Sequence, residues 1–305
     1  MGRGPVDERA CVNRRALLRA AALLPSAFAL RGFASTDART SWLVEEHVVP
    51  NAPAPLGPVV VLRPRHARAK KLPLVVTLHG RGETAKSPRA GAFGWANDYG
   101  LRTWLEAASD GPVGVDVLSG IGDPRVLARA NARWRKHGAP DLCFVCPYYT
   151  DVEVHRPDDA RPLMEFLAER VVPWAQATLP VDPRPVATSI DGVSLGGYLA
   201  LRTACAYPKL FRAAGGIQPA MNRADVAVWR RRLERAWHEH SALELRLLTS
   251  DGDYFQEGID ELHRVLGAAG HKHRYQRVHG PHDYLFNRTF GSLALIDFHE
   301  EVFAP

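Results

Sequence analysis

The chain has 305 residues, 46% hydrophobic and 24% charged, with a formal net charge of +6 at pH 7. This length allows one large α/β domain or two small ones. Residues 1–29 contribute +3 of this net charge, and the basic residues of the remaining chain form no cluster along the sequence. The composition therefore gives no indication of nucleic-acid binding.

Residues 1–34 have the features of an export signal. The segment NRRALLRA contains paired arginines and is followed by AAALLPSAFA, a short apolar stretch that ends in small residues. This order is typical of a twin-arginine signal peptide, with cleavage after Ala29 or Ala34. The apolar stretch is shorter than the ~20 residues that a membrane-spanning helix needs. We therefore expect a periplasmic or secreted protein with no stable membrane span; the alternative is an N-terminal extension of a cytosolic protein.

Alternation of apolar runs with helical patterns predicts an α/β fold. A turn-rich stretch at 51–58 predicts an early hairpin at one sheet edge. Strands are predicted at 71–80, 141–149, 184–190, from 211, at 243–253 and at 272–280; helices are predicted at 98–108, 124–136, 161–179, 195–206, 224–240, 257–269 and 289–303. This order predicts a mostly parallel sheet with helices on both faces. Active sites of such sheets lie beyond the carboxyl ends of the strands.

The first candidate at a strand end is Ser194, in the segment SIDGVSLGGYLAL. In a G-x-S-x-G pattern the serine occupies a sharp, strained turn between a strand and a helix. Gly192 and Gly196 avoid the clashes that larger side chains would cause there. A serine hydroxyl is a weak nucleophile until a base takes its proton. The pattern predicts a nucleophile at Ser194; an ordinary strand–helix turn is the alternative.

The base and its orienting carboxylate are predicted on the last two strand ends. His282 lies in the loop of VHGPHDYLFN, whereas His279 is closer to the strand, so His282 is the favoured base. The preceding strand end, LLTSDGDYF, offers Asp251 and Asp253. Asp253 is favoured because it lies farther from the strand, where it could hold the imidazole tautomer. Either aspartate could instead cap the following helix.

An oxyanion hole needs backbone N–H groups near the nucleophile. Leu195, directly after the serine, is predicted to supply one. The loop TLHGRGE after an early strand is predicted to supply the second from Gly80 or Arg81. His79 is expected to support this loop; as a base it would break the order serine, acid, histidine.

A metal site is not predicted. Cys143 and Cys146 lie three residues apart in a predicted strand, so their side chains point to opposite faces. No second cysteine pair completes a zinc site. The histidines of the GHKHR turn are expected to be solvated.

The segments VVTLHGRGE, DGVSLGGYLAL, YPKLFRAAGG, TSDGDYF and GPHDYLFN together resemble the α/β-hydrolase superfamily. They are most similar to the esterase branch that includes feruloyl and acetylxylan esterases, S-formylglutathione hydrolase and siderophore esterases. The resemblance implies a Ser194–Asp253–His282 serine hydrolase without metal or organic cofactor. It also implies a small-molecule or polysaccharide-linked ester as substrate. The chain departs from some relatives, because HGRGE is not the three-glycine oxyanion loop of certain lipases.

We therefore expect a serine esterase that forms an acyl-enzyme on Ser194, within a single catalytic domain at 38–305. Segment 84–140, which lacks a family signature, is expected to shape the substrate pocket. Trp95, Tyr148 and Tyr149 are predicted to contact substrate, with core packing as the alternative for each. The competing functions are a serine peptidase or acyltransferase of the same fold, and a non-catalytic binding protein. The sequence names neither the acyl group nor the alcohol.

Overall fold

The computed structural model describes residues 40–153, 156 and 159–304. The predicted export signal therefore lies outside the described residues. From Thr40 onward the chain forms one compact unit. Among the described residues, no helix is both long enough and apolar enough to cross a bilayer.

Eight strands form one sheet in the order β1-β2-β4-β3-β5-β6-β7-β8. The strands are β1 (Trp42–Val48), β2 (Pro58–Pro64), β3 (Leu74–Leu78), β4 (Cys143–Pro147), β5 (Thr188–Gly192), β6 (Ala213–Ile217), β7 (Glu244–Gly252) and β8 (Arg274–Pro281). β2 pairs antiparallel with both β1 and β4, and all other neighbouring strands are parallel. The mostly parallel sheet is therefore confirmed, and the predicted hairpin β1–β2 lies at its edge.

Helices follow each strand from β3 onward. They are α1 (Arg81–Thr84), α2 (Pro88–Ala92), α3 (Leu101–Asp110), α4 (Pro124–His137), α5 (Arg161–Phe166), α6 (Val172–Thr178), α7 (Leu195–Ala206), α8 (Val226–Glu239), α9 (Gln256–Ala268), α10 (Tyr284–Phe286) and α11 (Ser292–Val302). The single helix predicted at 161–179 is instead α5 and α6, joined by a π-helical turn at Leu167–Val171. Pro173 follows this turn and has no N–H to donate, so regular α-helical hydrogen bonding cannot pass through it.

The sheet is buried on both faces. Leu74, Val76 and Leu78 of β3 pack in one apolar cluster, whereas Val75 packs in a second cluster on the other face. This alternation follows from the two-residue period of a strand. Residues 84–140, which lie between β3 and β4, contribute α2, α3 and α4 to the second cluster.

The cysteines of β4 follow the same alternation. Cys143 packs in the first cluster and Cys146 in the second, as the strand period predicts. Burial raises the pKa of both thiols, that of Cys146 to about 12. Two buried side chains on opposite faces of the sheet cannot ligate one ion. In the described part of the chain, no group of three or more His, Cys, Asp or Glu could hold a metal.

Candidate active site

Ser194 occupies a strained turn between β5 and α7. Its φ of 54° and ψ of −117° lie where a residue with a side chain is rarely found. The turn is held by backbone hydrogen bonds: the Ser194 N–H donates to the Ile217 carbonyl at 2.8 Å, and the Ser194 carbonyl accepts from the Tyr198 and Ala220 N–H groups at 3.0 Å each. Strain of this kind persists only where the surroundings fix it, and it is concentrated at functional sites.

The two glycines around Ser194 allow backbone segments to touch. A Cβ on Gly192 would lie 2.4 Å from the backbone of Gly196. A Cβ on Gly196 would lie 2.2 Å from the carbonyl oxygen of His79. The serine turn is therefore packed directly against the loop that follows β3, which brings the predicted nucleophile and the predicted oxyanion loop together.

The three residues predicted as a triad form a continuous hydrogen-bond chain. Ser194 Oγ lies 3.0 Å from His282 Nε2, and His282 Nδ1 lies 2.7 Å from Asp253 Oδ1. The Asp253 side chain is fully buried and also accepts from the Thr249 hydroxyl at 2.7 Å and the Phe255 N–H at 3.0 Å. An ionised carboxylate only accepts, so His282 Nδ1 carries the proton and Nε2 is free to accept the serine proton.

The alternatives Asp251 and His279 pair with each other instead. Asp251 Oδ2 lies 2.8 Å from His279 Nδ1, and both side chains are more than half exposed. Asp251 Oδ1 also accepts the Gly280 N–H at 3.0 Å. These hydrogen bonds, from Gly280 first and His279 second, lower the pKa of Asp251. The sequence order alone left the two carboxylates open, and the geometry separates them.

The predicted oxyanion-hole amides differ in their availability. Leu195 and Arg81 are the first residues of α7 and α1, and N–H groups in the first turn of a helix have no partner within the helix. The Gly80 N–H, by contrast, donates to the Tyr99 hydroxyl at 2.8 Å. Gly80 is therefore already engaged, and this geometry favours Arg81 as the second donor.

His79 supports the oxyanion loop from beneath. Its Nδ1 hydrogen-bonds to the Gly80 carbonyl at 2.9 Å, and its Nε2 accepts the Tyr149 N–H at 3.3 Å. Its ring stacks on Tyr149 with centroids 4.1 Å apart. Burial lowers the pKa of His79 to about 4. Both ring nitrogens are occupied in the neutral form, which leaves neither free to act as a base.

The predicted substrate-contacting aromatics are buried. Trp95, Tyr148 and Tyr149 are at most 3% exposed. Tyr148 donates to the Thr84 carbonyl at 3.1 Å, and Tyr149 donates to the His79 carbonyl. Their burial favours the core-packing alternative. Residues that follow a strand, as Tyr148 and Tyr149 follow β4, can fold back under a loop as readily as they can face solvent.

Exposed apolar side chains follow the predicted acid and the predicted base along the chain. Tyr254 is 82% exposed, and its ring centroid is 5.1 Å from that of His282. Tyr284 and Leu285, two and three residues after His282, are 39% and 51% exposed. These residues were not predicted, although their positions shortly after the predicted acid and base were a usable signal.

Gln218 was also missed. It is fully buried at the end of β6, with a φ of 46°. Its Nε2 donates to the Ser250 hydroxyl at 2.7 Å and to the Pro281 carbonyl at 3.0 Å. It therefore fixes the backbone immediately before His282. Nothing in the sequence marks a glutamine for this role, since it depends on contacts across three strand ends.

Comparison with known proteins gives one family and many structural relatives. The family described as "Putative esterase" matches residues 58–253, well over half of the chain. No curated protein matches. A ferulic acid esterase is 14% identical, with 87% of this chain and 100% of that chain covered and a TM-score of 0.61.

Two further solved structures agree with this fold. The fluorophosphonate-binding serine hydrolase F of Staphylococcus aureus is 12% identical, with 86% and 98% of the two chains covered and a TM-score of 0.56. An S-formylglutathione hydrolase of Agrobacterium tumefaciens is 16% identical, with 88% and 98% covered and a TM-score of 0.54. At these identities the likeness concerns the fold. The family match decides the class: the chain belongs to this esterase family, with the α/β-hydrolase fold, and the predicted class of carboxylic ester hydrolase is confirmed.

Proposed function

We propose that this esterase hydrolyses carboxylic esters through an acyl-enzyme on Ser194. The observation that carries the proposal is the hydrogen-bond chain from Ser194 Oγ through His282 to the buried Asp253 carboxylate. Ser194 attacks the ester carbonyl while His282 Nε2 takes its proton. Asp253 holds the imidazole in the required tautomer and stabilises the imidazolium that forms.

The developing oxyanion is held by the N–H groups of Leu195 and Arg81. One such donor is worth about 3 kcal/mol of barrier, because it is already aimed at the position where the charge appears. His282 then gives its proton to the leaving alcohol. Water attacks the acyl-enzyme with His282 again acting as base, and Ser194 recovers its proton as the acid departs.

We place the substrate against the exposed side chains near His282. Tyr254 offers apolar surface against the His282 ring, and Tyr284 and Leu285 are exposed two and three residues after His282. A solved relative from Anaeromyces mucronatus, 15% identical, is described as a ferulic acid esterase in complex with ferulic acid. Residues 84–140 shape this region through Tyr99, which contacts the oxyanion loop. We include small-molecule and polysaccharide-linked esters in the substrate class. We place the catalytic domain at 38–305.

The test is labelling of the purified protein with a fluorophosphonate, with mass-spectrometric mapping of the adduct. We expect modification of Ser194. The variant Ser194→Ala should lose the label and lose at least about 10⁴-fold of kcat on a p-nitrophenyl ester, because no other group supplies the nucleophile. Unchanged hydrolysis by Ser194→Ala would refute the proposal.

We also propose export through the signal at residues 1–34. The paired arginines and the short apolar stretch support it. N-terminal sequencing of the protein recovered outside the cytoplasm of a bacterium with twin-arginine transport should give a start at Leu30 or Ser35. An intact N-terminus on a wholly cytoplasmic protein would contradict this proposal.

A further inference from the structure

A buried carboxylate lies directly behind the oxyanion loop. The side chain of Glu83 is 0% exposed. Its Oε2 accepts the hydroxyl proton of Tyr99, and its Oε1 accepts that of Tyr284 at 2.6 Å. Lys86 Nζ lies 3.5 Å from Oε1 and supplies a compensating positive charge. None of these contacts is needed by the acyl-transfer steps above, so the cost of burying this carboxylate calls for another explanation.

The hydrogen bond from Tyr99 connects Glu83 to the oxyanion loop. The Tyr99 hydroxyl accepts the Gly80 N–H at 2.8 Å, so its own proton is directed to Glu83. On the other side of the same residue, the Gly80 carbonyl accepts from His79 at 2.9 Å. This carbonyl shares a planar peptide group with the Arg81 N–H. Glu83 thus helps to fix the direction of the amide that we propose as an oxyanion donor.

The hydrogen bond from Tyr284 connects Glu83 to the segment that contains the base His282. Tyr284 is two residues after His282 and begins α10. Its ring stacks on that of Tyr99, with centroids 5.6 Å apart and an interplanar angle of 22°. The Glu83 carboxylate therefore links the oxyanion loop to the histidine segment, although residues 83 and 284 are 201 positions apart in the chain.

Three glycines provide the space that this arrangement occupies. A Cβ on Gly80 would lie 2.9 Å from the Tyr99 hydroxyl, and a Cβ on Gly82 would lie 2.5 Å from the Tyr284 hydroxyl. A Cβ on Gly94 would lie 2.7 Å from Cγ of Glu83. Two of these glycines belong to the HGRGE motif, whose second glycine has no other explanation in the site geometry.

We infer that Glu83 is a positioning residue, which sets the distance and orientation between the oxyanion-hole amide of Arg81 and the base His282 by accepting one hydroxyl proton from each side. This inference rests on the proposed Ser194 mechanism. The role requires an ionised carboxylate, because two hydroxyl protons need two acceptor oxygens. An amide offers one acceptor oxygen and one amino group that must itself donate.

The test compares Glu83→Gln with a matched buried carboxylate. In Glu83→Gln we expect kcat on a p-nitrophenyl ester to fall roughly 10- to 100-fold with KM changed less than about twofold, because a misplaced donor weakens the transition state alone. The control is Glu300→Gln. Glu300 accepts from Trp134 Nε1 at 2.9 Å in the α4–α11 contact, and its variant should keep the kcat of the wild type.

A second variant keeps the test decisive if Glu83→Gln folds poorly. Tyr284→Phe removes one hydroxyl from a residue that is 39% exposed, and it should lower kcat about 3- to 10-fold. In the double variant the loss should equal that of Glu83→Gln alone, because both changes break the same link. A purely structural role would be indicated if the kcat losses of the two single variants added in the double variant, or if Glu300→Gln lost as much kcat as Glu83→Gln.

The outcomes also separate this inference from the proposed function. If Glu83→Gln and Tyr284→Phe both hydrolyse ester at the wild-type kcat, with Ser194 labelled in each, then the positioning role is refuted and the esterase mechanism stands. If Ser194 of the wild-type protein takes no label and no ester is hydrolysed, then the mechanism itself fails.

Discussion

At the scale of single residues, the neighbouring carboxylates Asp251 and Asp253 differ in burial and in partner. Asp253 is buried against His282, whereas Asp251 is more than half exposed and pairs with His279. Asp253→Asn should lower kcat about 10⁴-fold, because a neutral amide can donate to Nδ1 and so favour the wrong imidazole tautomer. Steady-state hydrolysis of a p-nitrophenyl ester measures this change.

The matched control is Asp251→Asn. It removes the same charge two residues earlier, at the end of β7, yet it should change kcat by less than about threefold, because an exposed pair contributes little. A large loss in Asp251→Asn with little loss in Asp253→Asn would reverse the assignment of the acid.

At the scale of elements, the contact between α7 and the loop after β3 requires that Gly196 has no side chain. In Gly196→Ala the new Cβ would lie 2.2 Å from the His79 oxygen and 2.3 Å from the Leu78 oxygen. These are backbone atoms, so strand and helix would have to separate. We expect urea unfolding to show a loss of at least about 3 kcal/mol, in the range of severe overpacking.

Gly267 provides the control within a helix. It lies in α9, and a Cβ there would meet no atom within 4 Å. Gly267→Ala should therefore stabilise the protein by about 0.5–1 kcal/mol, the difference in helix propensity between the two residues. If Gly196→Ala unfolded with the wild-type free energy, the close packing of the serine turn would not be required.

The elements that the sequence predicts well are those with a clear period and a clear end. The predicted helix 195–206 has the bounds of α7, because β5 and the glycines of the serine turn mark its start. In segment 84–140 the helices predicted at 98–108 and 124–136 correspond to α3 and α4, but the shorter elements were not predicted. The segment contains the five-residue α2 and a π-helical turn at Gly94–Asp98, both too short for a period to emerge.

The placement of side chains at the site could be predicted only where order along the chain implies position. Ser194, Asp253 and His282 each follow a strand, and the ends of parallel strands meet. Tyr149 also follows a strand, but whether it faces solvent or packs beneath His79 depends on contacts that no local pattern encodes. The hydrogen bond from Tyr284 to Glu83 joins residues from opposite ends of the domain, so the spacing of residues in the sequence does not indicate it.

At the scale of the whole molecule, two buried groups make opposite contributions to stability as pH changes. Burial raises the pKa of Glu300 from 4.5 to about 7, and burial lowers the pKa of His79 from 6.5 to about 4. On acidification from pH 7 to pH 4.5, the native state binds a proton at Glu300 that the unfolded state does not. Over nearly the same range, the unfolded state binds a proton at His79 that the native state does not.

Each group changes the free energy of unfolding by about 3 kcal/mol over this window, with opposite signs. Acidification stabilises the native state through Glu300 and destabilises it through His79, so in the wild type the two contributions nearly cancel. Glu300→Gln removes the stabilising one. Relative to wild type, its free energy of unfolding should therefore fall by about 3 kcal/mol more between pH 7 and pH 4.5.

His79→Gln should show the reverse. Its free energy of unfolding should rise relative to that of the wild type over the same interval, because of these two contributions only that of Glu300 is left. Urea unfolding of the three proteins at pH 7 and pH 4.5 measures both differences. Parallel pH dependence in all three would mean that neither group holds a shifted pKa in the native state. If the free energies of unfolding of the two variants, each relative to wild type, change with pH in opposite directions, then the pH tolerance of the fold depends on a balance between His79 in the oxyanion loop and Glu300 in the α4–α11 contact.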